Sequence, residues 1–361
     1  MRNTTYITTL RFPLALLIVF IHSYNSVWRG IETGSFPTLP YFCSRILPAF
    51  AVPLFFAISG YLFFLNTKNF NFNTYTEKLK RRSFTLLIPY LLWNLLAFGL
   101  YALKDLAAQQ PLHVPFSFAL FWGCHPLGTP HTNAFDWVIG GTLAPILEPF
   151  WFVRDLMLVV LVSPIIYWAI RYLHLASLLL FGAIYYLDLW PNYGGVSTIG
   201  LWYFTLGAWF SIKDIDIIRS TRLLSPSSFI LMIPIGLFIM CFPDYEACVR
   251  IPAQHIYIIL GMIVAINVAN LWCYISQPKK LFTESSFFVY AAHTIVLLPL
   301  SSLLAKVAVR VDSFDQALLF FILPFTATGI CLLAYKLLVR FVPRYHYLLT
   351  GHKSMKRAKN N

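Results

Sequence analysis

The chain has 361 residues, of which 58% are hydrophobic and only 11% are charged. Soluble globular domains carry about 25% charged residues, so the composition excludes a soluble enzyme, a disordered protein and a typical nucleic-acid-binding domain. An integral membrane protein remains, and basic residues gathered in cytoplasmic loops account for the net charge of +13.

Apolar runs along the chain predict an all-α, polytopic membrane bundle, because a spanning helix needs about 20 mostly apolar residues. About ten spans are predicted, near residues 9–28, 46–66, 84–103, 150–170, 174–189, 196–212, 226–242, 254–275, 286–305 and 317–340. We expect one transmembrane domain, residues 1–345, and a basic cytoplasmic tail, residues 346–361. No internal repeat is visible, which disfavours the inverted-repeat transporter folds.

The distribution of Lys and Arg predicts the orientation of these spans. With the N-terminus inside and the spans alternating, 20 of the 27 basic residues fall on the inner side and 7 on the outer side. Both termini are therefore expected to be cytoplasmic. The first apolar segment lacks a small-x-small cleavage site, so we interpret it as a retained helix and not as a signal peptide.

The first span contains two ionisable residues, Arg11 and His22. Eleven residues of helix make about three turns and rise about 16 Å, so both side chains share one face. Ionisable groups inside a membrane are costly and usually functional. The alternative is that Arg11 is an inner-side anchor and His22 is a packed residue hydrogen-bonded to another helix.

Two other segments carry similar candidates. Lys80, Arg81 and Arg82 precede the third span on the inner side, where they could hold phosphate groups or anchor the chain to anionic lipid. His293 lies within the ninth span and could face the same cavity as His22, or it could be a satisfied core histidine.

The longest polar stretch, residues 104–149, is predicted on the outer side. Its histidines His113, His125 and His131 have spacings that fit no standard metal motif, so no metal site is predicted. Asp136 and Glu148 also lie here. A segment of this length in a compact protein is often functional, and we favour an acceptor-binding or lid role for it.

Five pieces of sequence occur in an informative order along the chain. They are Arg11 and His22 with ten residues between them, FFAISGYLFF at 55–64, Lys80-Arg81-Arg82 followed by Pro89, FWFVRDLMLVVLVSPII at 150–166, and Tyr290 followed by His293. Together they resemble the bacterial membrane-bound acyltransferase family three, and the resemblance covers nearly the whole chain. The chain departs from the family where Thr8-Thr9-Leu10 replaces an acidic residue before Arg11, and where Lys80 replaces the first arginine of an Arg-x-Arg pair.

The resemblance implies a multi-pass O-acyltransferase of the bacterial cytoplasmic membrane. The donor would be cytoplasmic acyl-CoA, usually acetyl-CoA, and the acceptor a hydroxyl of a cell-surface or lipid-linked glycan, with no permanently bound cofactor. His22 would act as general base or carry an acyl-histidine intermediate. His293 would orient His22, relay a proton or donate to the developing oxyanion.

The other predicted site residues are assigned to binding the donor or binding the substrate. Arg11, Lys80, Arg81 and Arg82 are expected to bind the donor. Glu148, Trp151 and Tyr290 are expected to bind the substrate.

Two other functions fit the same residues. In a proton-coupled transporter or glycan flippase, His22 and His293 would form a proton relay and the basic residues would be anchors. In a non-catalytic membrane subunit or sensor, neither histidine would react.

Overall fold

The structure is a computed structural model. It describes residues 4–27, 38–67, 69–112, 114–123, 125–126, 143–187, 189, 197–242, 245–308 and 313–351. His113, His131, Asp136 and most of the predicted basic tail lie outside these residues.

The described chain is almost entirely helical. Its longer helices are α1 Thr5–Val27, α3 Ala51–Phe64, α4 Phe72–Arg82, α5 Ile88–Ala107, α7 Trp151–Leu161, α8 Ser163–Leu173, α9 Leu175–Tyr186, α10 Thr198–Ile212, α12 Ser225–Cys241, α13 Ala247–Ile275, α14 Lys280–Ala308 and α15 Ser313–Phe341. The short ones are α2 Thr38–Tyr41, α6 Ala119–Trp122, α11 Ile217–Thr221 and α16 His346–Thr350.

Tighter and wider turns join some of these helices. They are π-helical at Phe42–Ile46 and Ser83–Leu87, and 3₁₀-helical at Leu47–Phe50 and Glu148–Phe150. Two short antiparallel strands, β1 His125–Pro126 and β2 Leu143–Ala144, also pair.

Helix α1 lies at the centre of the bundle and packs against α3, α13, α14 and α15. Its apolar residues are buried on several sides; Leu14, Ile18 and Val19 are at most 3% exposed. A helix that is apolar all round belongs in a protein interior or a membrane. Because α1 is surrounded by other helices, the side chains of Arg11 and His22 lie largely against neighbouring helices.

Glycines allow α3 and α10 to pack unusually closely. A Cβ atom on Gly60 would lie 2.0 Å from the Phe204 carbonyl oxygen, and one on Gly207 would lie 1.8 Å from the Ala57 carbonyl oxygen. Small residues at such positions let membrane helices approach backbone to backbone. This contact fixes the position of α3, which forms part of the site described below.

Parts of the predicted outer segment enter the core. Leu120 and Ala144 are fully buried. The Ile146 amide donates to the Leu120 carbonyl at 2.9 Å, and the Leu147 amide donates to Asn94 Oδ1 on α5 at 3.2 Å. The segment is thus attached to the membrane helices by both packing and hydrogen bonds.

The helical prediction is confirmed, whereas the number of spans stays a prediction. Within the described residues, six helices are long and apolar enough to cross a membrane, and a seventh span results if the pair Glu148–Leu161 and Ser163–Leu173, bent by 59°, counts as one. A helix lies at each of the ten predicted positions, but α9 and α12 have only 12 and 17 residues. The cytoplasmic location of both termini also stays a prediction.

Candidate active site

A cavity of about 290 Å³ lies among α1, α3, α7 and α14. The π-helical turn after α4 and the end of α16 complete its wall. Its lining includes the polar side chains of Ser59, Thr85, Ser286 and Thr350. The volume is close to the lower limit of small-molecule pockets, about 300 Å³, so it suits part of a large ligand or a slim chain.

Two arginines line this cavity. Arg11 comes from α1 and Arg82 from the last residue of α4, and both are partly buried. The described lining contains no Asp or Glu. Guanidinium groups bind phosphates and carboxylates through paired hydrogen bonds, so this part of the cavity is suited to an anion.

The other two predicted donor-binding residues lie elsewhere on α4. Lys80 and Arg81 are exposed and do not belong to the cavity lining. The π-helical turn that follows Arg82 widens the helix at this point, and such turns often occur at functional sites. Of the basic cluster, the structure brings only Arg82 to the cavity.

The two predicted catalytic histidines face each other across α1 and α14. The ring centroids of His22 and His293 are 5.1 Å apart, at an interplanar angle of 53°. His293 is fully buried and His22 is partly buried. The structure thus brings together two imidazoles that are 271 residues apart in the sequence.

Backbone geometry selects the tautomer of His293. Its Nδ1 atom lies 2.6 Å from the Tyr290 carbonyl oxygen. A carbonyl oxygen only accepts hydrogen bonds, so Nδ1 carries the proton and, in a neutral ring, Nε2 is an acceptor. That Nε2 atom is buried and has no hydrogen-bond partner among the described residues.

Tyr290 connects the cavity to the histidines. Its side chain lines the cavity, and its ring centroid is 6.2 Å from that of His293. The ring stacks on Phe150 at 5.8 Å, and its hydroxyl donates to the Pro149 carbonyl. Tyr290 therefore has a fixed position between the arginine-lined cavity and the histidine pair.

The other two predicted substrate-binding residues do not line this cavity. Trp151 is buried, with its ring centroid 6.5 Å from that of Phe56, and Glu148 is exposed at the start of a 3₁₀ turn. Their roles stay predictions. Among the described residues, no group of three or more His, Cys, Asp or Glu is placed to hold a metal ion.

Three buried charged residues near the site were assigned no role from the sequence. Arg45 is 6% exposed, and its guanidinium carbon lies 5.5 Å from the Tyr24 ring centroid. Arg154 and Asp155, 2% and 0% exposed, form an ion pair at 2.8 Å. The available signal was the same in each case: a charged residue inside an otherwise apolar segment.

Comparison with known proteins identifies the family of the chain. Residues 4–336 match the family model described as an acyltransferase domain. The chain is also 27% identical over 362 aligned positions to the succinoglycan biosynthesis protein ExoH of Rhizobium meliloti (strain 1021), covering 96% of this chain and 92% of that protein. No solved structure matches. The resemblance found in the sequence is confirmed, and the chain belongs to this acyltransferase family.

Proposed function

We propose that the protein is a membrane O-acyltransferase that moves an acyl group, in the simplest case acetyl, from cytoplasmic acyl-CoA to a hydroxyl of a cell-surface or lipid-linked glycan. Family membership supports acyl transfer. The name of the R. meliloti relative, which refers to the biosynthesis of a polysaccharide, supports a glycan acceptor. We place the protein in the bacterial cytoplasmic membrane, where both partners are accessible.

One observation carries the proposal: the arginine-lined cavity extends to Tyr290, whose carbonyl holds the His293 ring beside His22. Arg11 and Arg82 would bind phosphate groups of the donor. The narrow pantetheine arm would pass Ser286 and Tyr290 toward the imidazoles. Arg11 and His22 differ by about 16 Å in height along α1, which gives the arm a path along one helix.

The proposed reaction balances with the two histidines, which lie beyond Tyr290 and outside the cavity lining. His22 takes the proton of the acceptor hydroxyl while the oxygen attacks the thioester carbonyl. The new C–O bond forms, the C–S bond breaks, and the proton passes from the imidazolium to the departing thiolate of CoA. No net charge is created, which suits a site enclosed by apolar helices.

The tautomer of His293 limits its part in this reaction. With the Nδ1 proton committed to the Tyr290 carbonyl, a neutral His293 has no N–H for a developing oxyanion. Its Nε2 can accept a hydrogen bond from the neighbouring His22 ring. We therefore assign His293 an orienting or proton-relay role in preference to oxyanion stabilisation.

Replacement of His22 tests this proposal. Membranes containing the wild-type protein or the His22→Ala variant receive labelled acetyl-CoA, and the labelled glycan product is isolated. Because a positioned general base contributes about 10²- to 10⁴-fold, the variant should lose transfer by at least about 100-fold while remaining folded and inserted.

A matched control separates chemistry from packing. His255 is a partly buried histidine outside the cavity lining that packs against Tyr185 and Tyr186, with ring centroids 4.9 and 4.6 Å away. The His255→Ala variant should keep near-normal transfer. Normal transfer by His22→Ala would refute the mechanism, and proton-coupled glycan movement without any acyl-CoA requirement would establish the transporter alternative instead.

A further inference from the structure

The last described residues of the chain form part of the cavity wall. Thr350 ends the short helix α16 and Gly351 caps it, and both line the cavity that contains Arg11 and Arg82. Composition predicts only a basic cytoplasmic tail here. Within the described part of this segment, helix α16 packs against α5, α14 and the π-helical turn Ser83–Leu87.

Position 351 requires glycine for two independent reasons. Its φ angle is +67°, a left-handed conformation that glycine adopts without steric cost. In addition, a Cβ atom would lie 2.4 Å from the Thr85 carbonyl oxygen, which belongs to backbone and cannot rotate away. Any larger residue must therefore push α16 and the π-helical turn apart.

Helix α16 is also fixed from its other side. The Trp93 indole Nε1 on α5 donates to the Leu349 carbonyl at 2.9 Å, and within α16 itself Thr350 Oγ1 donates to the His346 carbonyl at 3.1 Å. Both His346 and Thr350 are buried, at 8% and 2% exposure. The helix is thus held in one place against the residues that follow Arg82.

The contact between Gly351 and Thr85 lies close to Arg82 in the cavity wall. Thr85 follows Arg82 by three residues and lies in the π-helical turn that begins directly after Arg82, and both side chains line the cavity. We propose that α16, locked by Gly351, is a positioning element that holds Arg82 and the adjoining cavity wall in the geometry that binds the phosphate-bearing part of the donor. The inference rests on the proposed function, because it takes the donor to be a phosphorylated thioester.

The test compares two thioesters that differ in phosphate content. Acetyl-CoA carries phosphate groups and acetyl-pantetheine carries none, so only the first should depend on Arg82. Binding of each compound is measured by titration calorimetry on the full-length protein in lipid nanodiscs. The variants are Gly351→Ala, Gly351→Val, Trp93→Phe and Arg82→Gln, and the control is Gly329→Ala, where a Cβ meets nothing within 4 Å.

We expect Gly351→Val and Arg82→Gln each to weaken acetyl-CoA binding by about tenfold or more, the loss that corresponds to one charge-assisted hydrogen bond. Acetyl-pantetheine binding should change by less than about twofold, since no charged contact is lost. The Gly351→Ala and Trp93→Phe variants should show the same selectivity to a smaller extent, which keeps the test valid if Gly351→Val does not fold. Gly329→Ala should match the wild type.

The outcomes distinguish this inference from the function on which it rests. If Arg82→Gln leaves acetyl-CoA binding unchanged, the donor does not bind in this cavity and the proposed function fails at that point. If Arg82→Gln weakens acetyl-CoA binding but the three variants that disturb α16 (Gly351→Ala, Gly351→Val and Trp93→Phe) do not, only the role of α16 is refuted. Equal losses for both thioesters in the α16 variants would show a general structural role and would also refute it.

Discussion

The close contact between α3 and α10 predicts a large effect for a very small substitution, Gly207→Ala. The added Cβ atom would lie 1.8 Å from the Ala57 carbonyl oxygen, whereas ordinary contacts begin at 3.4 Å. The two helices would have to separate by about 1.5 Å, and a gap of only 0.5–1 Å already removes a quarter to a half of each van der Waals contact. Gly60→Ala should act in the same way, since its Cβ would lie 2.0 Å from a backbone oxygen.

The expected loss of stability depends on which atom the added Cβ meets. Extra methyl groups in a packed core typically cost about 1–3 kcal/mol, because side chains can partly move aside. Here the obstructing atom belongs to a helix backbone, so Gly207→Ala should lower the free energy of unfolding by about 3 kcal/mol. The loss is measured by SDS-titrated unfolding of the purified protein in mixed micelles.

The same substitution at an open position provides the control. A Cβ on Gly99 meets nothing within 4 Å, and alanine favours helix over glycine by about 1 kcal/mol. Gly99→Ala should therefore leave stability unchanged or raise it. If Gly207→Ala and Gly99→Ala behaved alike, the interhelical distance described here would be wrong, and with it the position of Ser59 in the cavity wall.

Two further predictions concern buried polar contacts beside the cavity. Asp155→Ala should lower the free energy of unfolding by about 3–5 kcal/mol, because it removes the buried ion-pair partner of Arg154. SDS-titrated unfolding measures this loss, and replacing both residues by Leu and Met should recover most of it. Tyr290→Phe should lower the free energy of unfolding by only about 1 kcal/mol, because it removes one hydrogen bond to the Pro149 carbonyl but keeps the aromatic stack. SDS-titrated unfolding measures this change. A loss of more than about 3 kcal/mol would contradict the assignment of that hydrogen bond.

The apolar composition and the apolar runs were sufficient to predict an all-helical fold. Runs of about 20 apolar residues have few alternatives to a helix in a membrane, because every backbone polar group must be satisfied within the segment. The number of spans was harder to predict. The 12 residues of α9 and the bend of 59° between α7 and α8 show that apolar length alone does not define a crossing.

The same reasoning placed some site residues and not others. The helical register put Arg11 and His22 on one face of α1, and the structure has Arg11 in the cavity and His22 beside His293. The choice of Arg82 over its neighbours Lys80 and Arg81 depends on the π-helical turn, which inserts an extra residue into the register. No local sequence pattern predicts that π-helical turn.

The part of the cavity wall formed by α16 could also not be predicted from the sequence. Residues His346–Thr350 make a helix of five residues, too short to be stable alone. Its formation depends on the indole of Trp93, which lies 256 residues before its partner Leu349, and on the fit of Gly351 against Thr85, which lies 266 residues before Gly351. Contacts at such separations follow from the assembled bundle, not from neighbouring residues.

The arrangement of charge along the cavity explains why imidazoles suit the proposed reaction. The permanent cations, Arg11 and Arg82, line the cavity where an anionic donor would compensate them, whereas the far end, beyond Tyr290 and outside the cavity lining, holds His22 and His293, which are uncharged when neutral. A carboxylate base at that end would bury a charge in every resting molecule, at a cost of several kcal/mol. A histidine avoids this cost because it becomes charged only while it holds the hydroxyl proton. Glutamate or aspartate in place of His22 should therefore fail to restore transfer, even though either can act as a base in water.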